Sequence, residues 1–111
     1  MADKFLSFSR TGTGTVYTVA TADAGAAPPT PPTTALVKSI RLSNQSGGAV
    51  TTTVTAMDYS NSSLEIELYK DSLTDGAESE ILTQPIALEQ QDAIKITGAG
   101  VKILISLLEI S

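Results

Sequence analysis

The chain has 111 residues, of which 41% are hydrophobic, and its formal net charge is −5. This composition suits one globular domain and excludes a wholly disordered chain. The chain contains no Cys, no His and no Trp. These absences exclude disulfide frameworks, thiolate metal sites and histidine-dependent catalysis.

Charge is unevenly distributed along the chain. Residues 58–92 hold nine acidic residues against Lys70 alone, whereas residues 1–57 hold four basic residues against two acidic ones. Because an acidic surface repels phosphate backbones, we expect no direct binding to nucleic acid. The acidic stretch is either a solubilising face or one side of a complementary contact between subunits. The chain has no apolar run long enough to span a membrane, and its first residues lack a signal peptide's apolar core.

Three segments follow one another along the chain. Residues 1–22 contain an apolar group (Phe5, Leu6, Phe8), a Gly/Thr stretch and a Val/Tyr-rich run, which predict an N-terminal arm or edge strands. Residues 23–34 read DAGAAPPTPPTT and predict a Pro-rich loop, because proline interrupts both helices and central strands. Residues 35–111 predict a β-sandwich core.

The core segment has the two-residue period of strands. ALVKSIRLSN (35–44) is expected to place Leu36, Ile40 and Leu42 on one face, and SLEIELYK (63–70) alternates aliphatic with acidic side chains. Turns rich in Gly, Asn and Asp separate these runs. Pro85 is expected to break or kink a further extended run at residues 78–90. The pattern predicts an all-β fold, either an antiparallel β-sandwich or a jelly-roll-like barrel, with an extended N-terminal arm.

The last run, VKILISLLEIS (101–111), is apolar on both faces. Its second face could remain uncovered, could be crossed by the apolar residues of the first segment, or could meet another copy of the chain. Exposure of three large aliphatic side chains is costly, at about 1.5–3 kcal/mol each relative to burial, and it favours aggregation. We therefore expect a neighbouring subunit or its N-terminal arm to cover this face. The predicted interface residues are Phe5, Leu6, Phe8, Leu104, Leu108 and Ile110, with packing inside a single chain as the alternative.

No motif predicts catalysis or a cofactor. Glu65 and Glu67 share one side of a strand, but no aromatic platform for a sugar accompanies them. The stretch 71–82 resembles a calcium loop only superficially, because Leu82 stands where a bidentate glutamate is required. Asn44-Gln-Ser46 fits the glycosylation pattern, yet it is better interpreted as a turn. We expect no enzyme, no metal and no cofactor.

Four stretches together resemble small β-sandwich virion proteins of tailed phages, notably those of cyanobacteria and marine bacteria. The resemblance covers residues 35–111, and the stretches that carry it are VKSIRLSN (37–44) followed by Gly47-Gly48, PIALE (85–89), DAIKI (92–96) and LLEIS (107–111).

The resemblance implies a virion structural protein. Its leading role would be capsid decoration, or cement, on the exterior of the head, after synthesis in the host cytoplasm. A neck, tail or fibre-base protein is the alternative. Cement proteins commonly form trimers where capsid subunits meet, so the implied partners are further copies of the chain, as a homotrimer, and the major capsid protein or another virion protein. A ligand- or carbohydrate-binding β module is a competing class, and it would need a solvent-facing aromatic cluster.

Overall fold

A computed structural model describes residues 4–20, 34–82 and 84–110, and these residues form two antiparallel sheets packed face to face. The predicted all-β sandwich is confirmed. The strands are β1 (Lys4–Thr11), β2 (Gly14–Thr18), β3 (Thr34–Asn44), β4 (Val50–Asp58), β5 (Leu64–Leu73), β6 (Glu78–Glu80), β7 (Ile86–Leu88), β8 (Ala93–Thr97) and β9 (Val101–Ile110). A short 3-10 helix, Tyr59–Asn61, precedes β5.

Sheet A has the order β1-β9-β3-β6, and β7 also pairs with β3. Sheet B has the order β2-β8-β4-β5. The last strand is therefore central in its sheet, between the first strand and β3. Because β1 and β2 lie at one side of the sandwich and β5 lies at the other, β1 and β5 form edges far from each other.

The core lies between the inner faces of the two sheets. The inner residues of β9 are almost completely buried, as the alternation of VKILISLLEIS predicts. Strands β3, β4 and β8 supply most of the remaining core. The first segment also contributes, because Tyr17 and Val19 are buried and the rings of Phe8 and Tyr17 lie 4.8 Å apart between centroids.

A β-bulge in β3 corrects the expected face of Leu36. Val37 pairs with Leu107 and Ser39 pairs with Ser106, so Lys38 is the additional residue. The bulge reverses the side-chain alternation, and Val37, Ile40 and Leu42 are buried whereas Leu36 lies on the outer face. The expectation that Leu36 shares a face with Ile40 and Leu42 was wrong for this reason.

The N-terminal segment forms edge strands over residues 4–18. Residues Lys4 to Thr11 pair in antiparallel register with Glu109 to Lys102, so β1 lies beside β9 and does not cross its outer face. The predicted Pro-rich loop at 23–34 lies outside the described residues, apart from Thr34, which begins β3.

Candidate interaction surface

The outer face of sheet A carries a row of apolar side chains across three strands. Phe5 on β1 pairs with Leu108 on β9, and Leu108 pairs with Leu36 on β3. Ile110 lies two residues further along β9 on the same face. We call these four residues the apolar patch: Phe5, Leu36, Leu108 and Ile110.

The patch is open to solvent. Phe5 is 75% exposed and Ile110 is 36% exposed, while Leu108 and Leu36 are partly exposed. The Nζ atom of Lys38, at the β3 bulge, lies 5.4 Å from the centroid of the Phe5 ring. An ammonium group over an aromatic face is attractive by about 0.5–1 kcal/mol at an exposed site, so Lys38 helps to hold Phe5 in place.

The patch is not required to complete the hydrophobic core. The buried residues on the opposite face of β9 already pack between the two sheets, at 1% exposure or less. Removal of water from a large apolar side chain is stabilising. An exposed row of such side chains across three strands is therefore suited to contact with another molecule.

The predicted interface residues fall into three groups. Phe5, Leu108 and Ile110 meet in the apolar patch. Leu104 is also on the outer face, at 45% exposure, but lies further along β9 between Ser9 and Arg41. Leu6 and Phe8 lie on the other side of β1 and pack against the core, although both remain partly exposed.

Leu36 is the apolar patch residue that the sequence analysis missed. A strict two-residue period assigned it to the core, and a bulge at Lys38 moved it outward. Lys38, two residues after Leu36, was the available signal, since a long charged side chain is difficult to bury in a central strand.

A second apolar surface lies at the edge of sheet B. Leu64 and Ile66 on β5 are about half exposed, and β7, which lines the same cleft as Ile66, has only three residues. A cleft of about 300 Å³ opens here between β5 and β7. Its buried carboxylate, Asp92, accepts hydrogen bonds from the backbone N–H groups of Tyr59 and Glu89, both at 2.9 Å. That pairing gives Asp92 a structural role.

The described residues contain no cluster of three or more His, Cys, Asp or Glu side chains placed to hold a metal ion. The carboxylates considered in the sequence analysis have other contacts or stand apart. Glu65 accepts a hydrogen bond from Thr55 at 3.2 Å and lies 3.8 Å from the Nζ atom of Lys95. Within the same ranges, no helix has the length and apolar character needed to cross a bilayer.

No protein-family model and no curated protein sequence matches the chain. Among solved structures, it is similar to a chain from Bacillus endospore appendages, described as a novel family of disulfide-linked pili, with 11% identity and a TM-score of 0.49. That match covers 99% of this chain and 87% of the other.

The chain is also similar to a chain of the T13 IBDV viral particle, with 9% identity and a TM-score of 0.40. A chain of infectious bursal disease virus, Gt strain, gives 8% identity and a TM-score of 0.29. Each viral match covers 96% of this chain but only 35% of the viral chain. At these identities and scores, the likenesses assign neither a family nor a function.

Proposed function

We propose that the protein is a non-enzymatic structural component of a tailed-phage virion, with capsid decoration as its leading role. In this proposal it binds the exterior of the head between major capsid subunits and associates with itself, as a trimer. The single observation that carries the proposal is the apolar patch on a sandwich whose core is complete without it. The sequence resemblance over residues 35–111 supplies the virion setting.

The patch supports a structural role because of its extent and its chemistry. It spans three strands and contains aliphatic and aromatic side chains with no catalytic groups among them. Such a surface binds another protein surface through removal of water, and its affinity is multiplied when many copies attach to one particle.

A neck, tail or fibre-base protein would use the same patch, and copy number separates the two roles. A head decoration protein is present in numbers comparable with the major capsid protein, whereas a neck or tail component is present in far fewer copies. Quantitative mass spectrometry of purified virions measures this ratio directly.

A carbohydrate-binding module is less well supported. The exposed aromatic side chains among the described residues include Phe5 on β1 of sheet A and Tyr59 in the 3-10 helix that follows β4 of sheet B. Phe8 and Tyr17 pair with each other at the core. These positions do not form the continuous aromatic surface that stacking on a sugar ring requires.

The patch is tested by re-addition of purified protein to virions that lack it. We expect Phe5→Ser to weaken attachment by about 10- to 100-fold, because one buried aromatic side chain contributes about 1.5–3 kcal/mol. Bound protein is measured by co-sedimentation with the particles. Leu64→Ser is the matched control, because Leu64 is an exposed aliphatic residue on the opposite sheet.

Two results would contradict the proposal. The protein could be missing from purified virions altogether. Alternatively, Phe5→Ser could attach as tightly as the wild-type protein while remaining equally stable, which would remove the apolar patch from the contact.

A further inference from the structure

Strands β1 and β2 belong to one terminal segment, residues 4–20, that lies at the edge of both sheets. We call this segment the edge unit. β1 pairs with β9 at the edge of sheet A, and β2 pairs with β8 at the edge of sheet B. The remaining strands stay joined without it, because β9 also pairs with β3 and β8 also pairs with β4. The edge unit can therefore be exchanged without dividing either sheet.

Side-chain contacts within the edge unit hold its two strands together. The rings of Phe8 and Tyr17 lie 4.8 Å apart between centroids. The guanidinium group of Arg10 donates hydrogen bonds to the backbone carbonyls of Gly12 at 3.2 Å and Thr13 at 2.6 Å, in the turn between β1 and β2. These contacts suit the edge unit to docking as a single body.

The edge unit docks on the corner formed by β8 and β9, which follow each other in the chain. The N–H of Gly12 donates to the carbonyl of Val101 at 2.9 Å, and the hydroxyl of Tyr17 donates to Glu109 at 2.5 Å. Tyr17 and Val19 are buried, so a copy that gives up its own edge unit must receive another to complete its core. The β8–β9 corner of a second copy offers the same contacts.

The connection from the edge unit to β3 is longer than a single copy requires. The N–H of Val19 donates to the carbonyl of Asp92, and the N–H of Gln91 donates to the carbonyl of Val19. At the other end of the connection, Ala35 pairs with Leu88. Because Leu88 and Gln91 are close in the chain, Val19 and Ala35 lie within about 25 Å of each other. The chain between them reaches about 55 Å when fully extended.

The composition of this connection also favours reach. Its sequence includes PPTPP at residues 28–32. Proline fixes the backbone angle φ, and proline-rich segments act as semi-rigid spacers of about 3.1 Å per residue. Connections of this length are uncommon in compact domains and usually have a function. A long spacer of restricted flexibility is suited to carry the edge unit to a neighbouring copy.

We propose that the edge unit of one copy docks on the β8–β9 corner of a second copy, so that copies associate by exchanging their first two strands. Each copy gives one edge unit and receives one, and the contact is head to tail. Repeated exchange closes into a ring, such as the trimer proposed above. The inference deepens the proposed function by giving the route of self-association, and it rests on that function only for the number of copies.

Exchange makes the apolar patch a surface shared between two copies. Phe5 belongs to the edge unit, whereas Leu36, Leu108 and Ile110 belong to the receiving copy. Each patch in the assembly is then built from both chains. Self-association and attachment to a particle would depend on the same pairing of β1 with β9.

The test places pairs of cysteines in the full chain, which has no natural cysteine. Ser7 on β1 lies opposite Ser106 on β9. Directly opposed residues of antiparallel strands have Cα atoms about 4.5–5.5 Å apart, which suits a disulfide. After treatment with oxidised glutathione, Ser7→Cys/Ser106→Cys should link different copies. A non-reducing denaturing gel should show a shift from the single-chain band to multiples of the single-chain mass, reversed by a reductant.

Ser39→Cys/Ser106→Cys is the matched control. Ser39 on β3 also lies opposite Ser106, and both positions lie outside the edge unit. The disulfide of this variant should therefore form within one copy and leave the mass unchanged. Both double variants share the cysteine at position 106, so random linkage between surfaces would affect them alike. Equal amounts of linked copies in the two variants would contradict exchange.

Two further results would overturn the inference. Oxidised Ser7→Cys/Ser106→Cys could run at the single-chain mass with its disulfide formed, which would show that the edge unit docks on its own copy. Light scattering could find the wild-type protein monomeric at all concentrations. Thr11→Cys/Lys102→Cys is a second pair across the same strands, and failure of both pairs to form a disulfide would contradict the β1–β9 register itself.

Failure of the exchange and failure of the virion role give different results. Particle attachment is measured separately with Phe5→Ser. Linked copies in solution from a protein that is missing from purified virions would contradict only the proposed function. A protein that attaches to virions but forms the Ser7→Cys/Ser106→Cys disulfide within single copies would contradict only the exchange.

Discussion

Asn44 is the most densely hydrogen-bonded side chain of the core. It is fully buried at the end of β3, and its amide group donates to the carbonyls of Gly48 at 2.9 Å and Leu73 at 2.7 Å. Its side-chain oxygen accepts from the N–H of Ser46 at 3.0 Å and from the Ser46 hydroxyl at 2.7 Å. One side chain thus fixes the β3–β4 turn and joins it to the end of β5. This confirms the interpretation of Asn44-Gln-Ser46 as a turn.

Replacement of Asn44 should destabilise the protein strongly. We expect Asn44→Ala to lower the free energy of unfolding by about 3 kcal/mol, because the buried Leu73 carbonyl loses its donor and the turn loses its acceptor. Denaturant unfolding measures the change. Gln45→Ala is the neighbouring control, and because Gln45 is exposed its effect should stay within about 0.5 kcal/mol. Similar losses in both variants would show that the turn does not depend on the buried amide.

Tyr17 joins the inner face of sheet B to the end of sheet A. Its hydroxyl group donates to a carboxylate oxygen of Glu109 at 2.5 Å. Burial raises the pKa of Tyr17 above its ordinary value of 10.0, and the hydrogen bond to Glu109 and the charge of that carboxylate raise it further. The folded protein therefore keeps the phenolic proton at a pH where the unfolded chain loses it.

This difference predicts a loss of stability in alkali. Above about pH 10 the folded state binds more protons than the unfolded state, so the free energy of unfolding falls as pH rises. Tyr17→Phe cannot lose this proton. The stability advantage of the wild type over Tyr17→Phe should be complete below about pH 10 and should shrink above it. Thermal unfolding of both proteins across that range measures the advantage.

Glu109→Gln is the matched variant for this prediction. It keeps the buried phenol but removes the carboxylate charge, so its alkaline loss should be smaller than that of the wild type without disappearing. If the wild type and Tyr17→Phe lose stability in parallel through the alkaline range, the Tyr17 proton does not contribute to the folding equilibrium.

At the scale of the elements, β1 is a paired edge strand that contributes to the core of the sandwich. Its residues Leu6 and Phe8 pack against the core while Phe5 faces solvent. The sequence left an arm and an edge strand as alternatives. Phe5 would point to one face of a strand, and Leu6 and Phe8 to the other, so the apolar residues do not mark a single buried face. Only the antiparallel pairing with β9 determines which of them point inward.

Removal of residues 1–10 should therefore destabilise the sandwich as well as remove Phe5. Loss of the partly buried Leu6 and Phe8 removes packing worth about 1.5 kcal/mol or more for each side chain, and one edge of β9 becomes unpaired. Hydrogen exchange of the β9 amides should accelerate, as measured by mass spectrometry. Phe5→Ser keeps β1 and should leave β9 protection unchanged, so equal exchange in the truncated and full-length proteins would contradict this view of β1.

Because of its bulge, the buried and exposed faces of β3 could not be predicted from a two-residue period. The alternation of β9 is regular, and its buried and exposed faces could be predicted residue by residue. In β3 a single additional residue at Lys38 reverses the faces, and the apolar spacing of Ala35, Leu36 and Val37 fits either arrangement. The choice is made by packing against β9, which the local sequence does not contain.

At the scale of the whole molecule, the fold class followed from strand periods and turn residues, whereas the order of strands did not. The pairing of the first strand with the last is non-local, and so is the succession of β6 and β7 along β3. The same non-local pairings bring Arg41 of β3 and Lys102 of β9 to the outer face of sheet A from distant parts of the chain. The uneven charge was visible in the sequence, but the division of its acidic residues between β5 of sheet B and β6 of sheet A required the topology.

The register that places Lys4 beside Glu109 also has a mechanical consequence. Residues 4 and 110 lie at the same end of the β1–β9 pair. A force applied at these two positions pulls the strands apart in the unzipping geometry, so the hydrogen bonds between them break one after another. In the shear geometry, by contrast, all of these bonds would bear the force together. A tether attached at both positions is therefore weak under tension, whereas a load carried across the outer face of sheet A leaves those bonds in place. Attachment through the face, and not through the chain ends, is the arrangement in which this sandwich resists force.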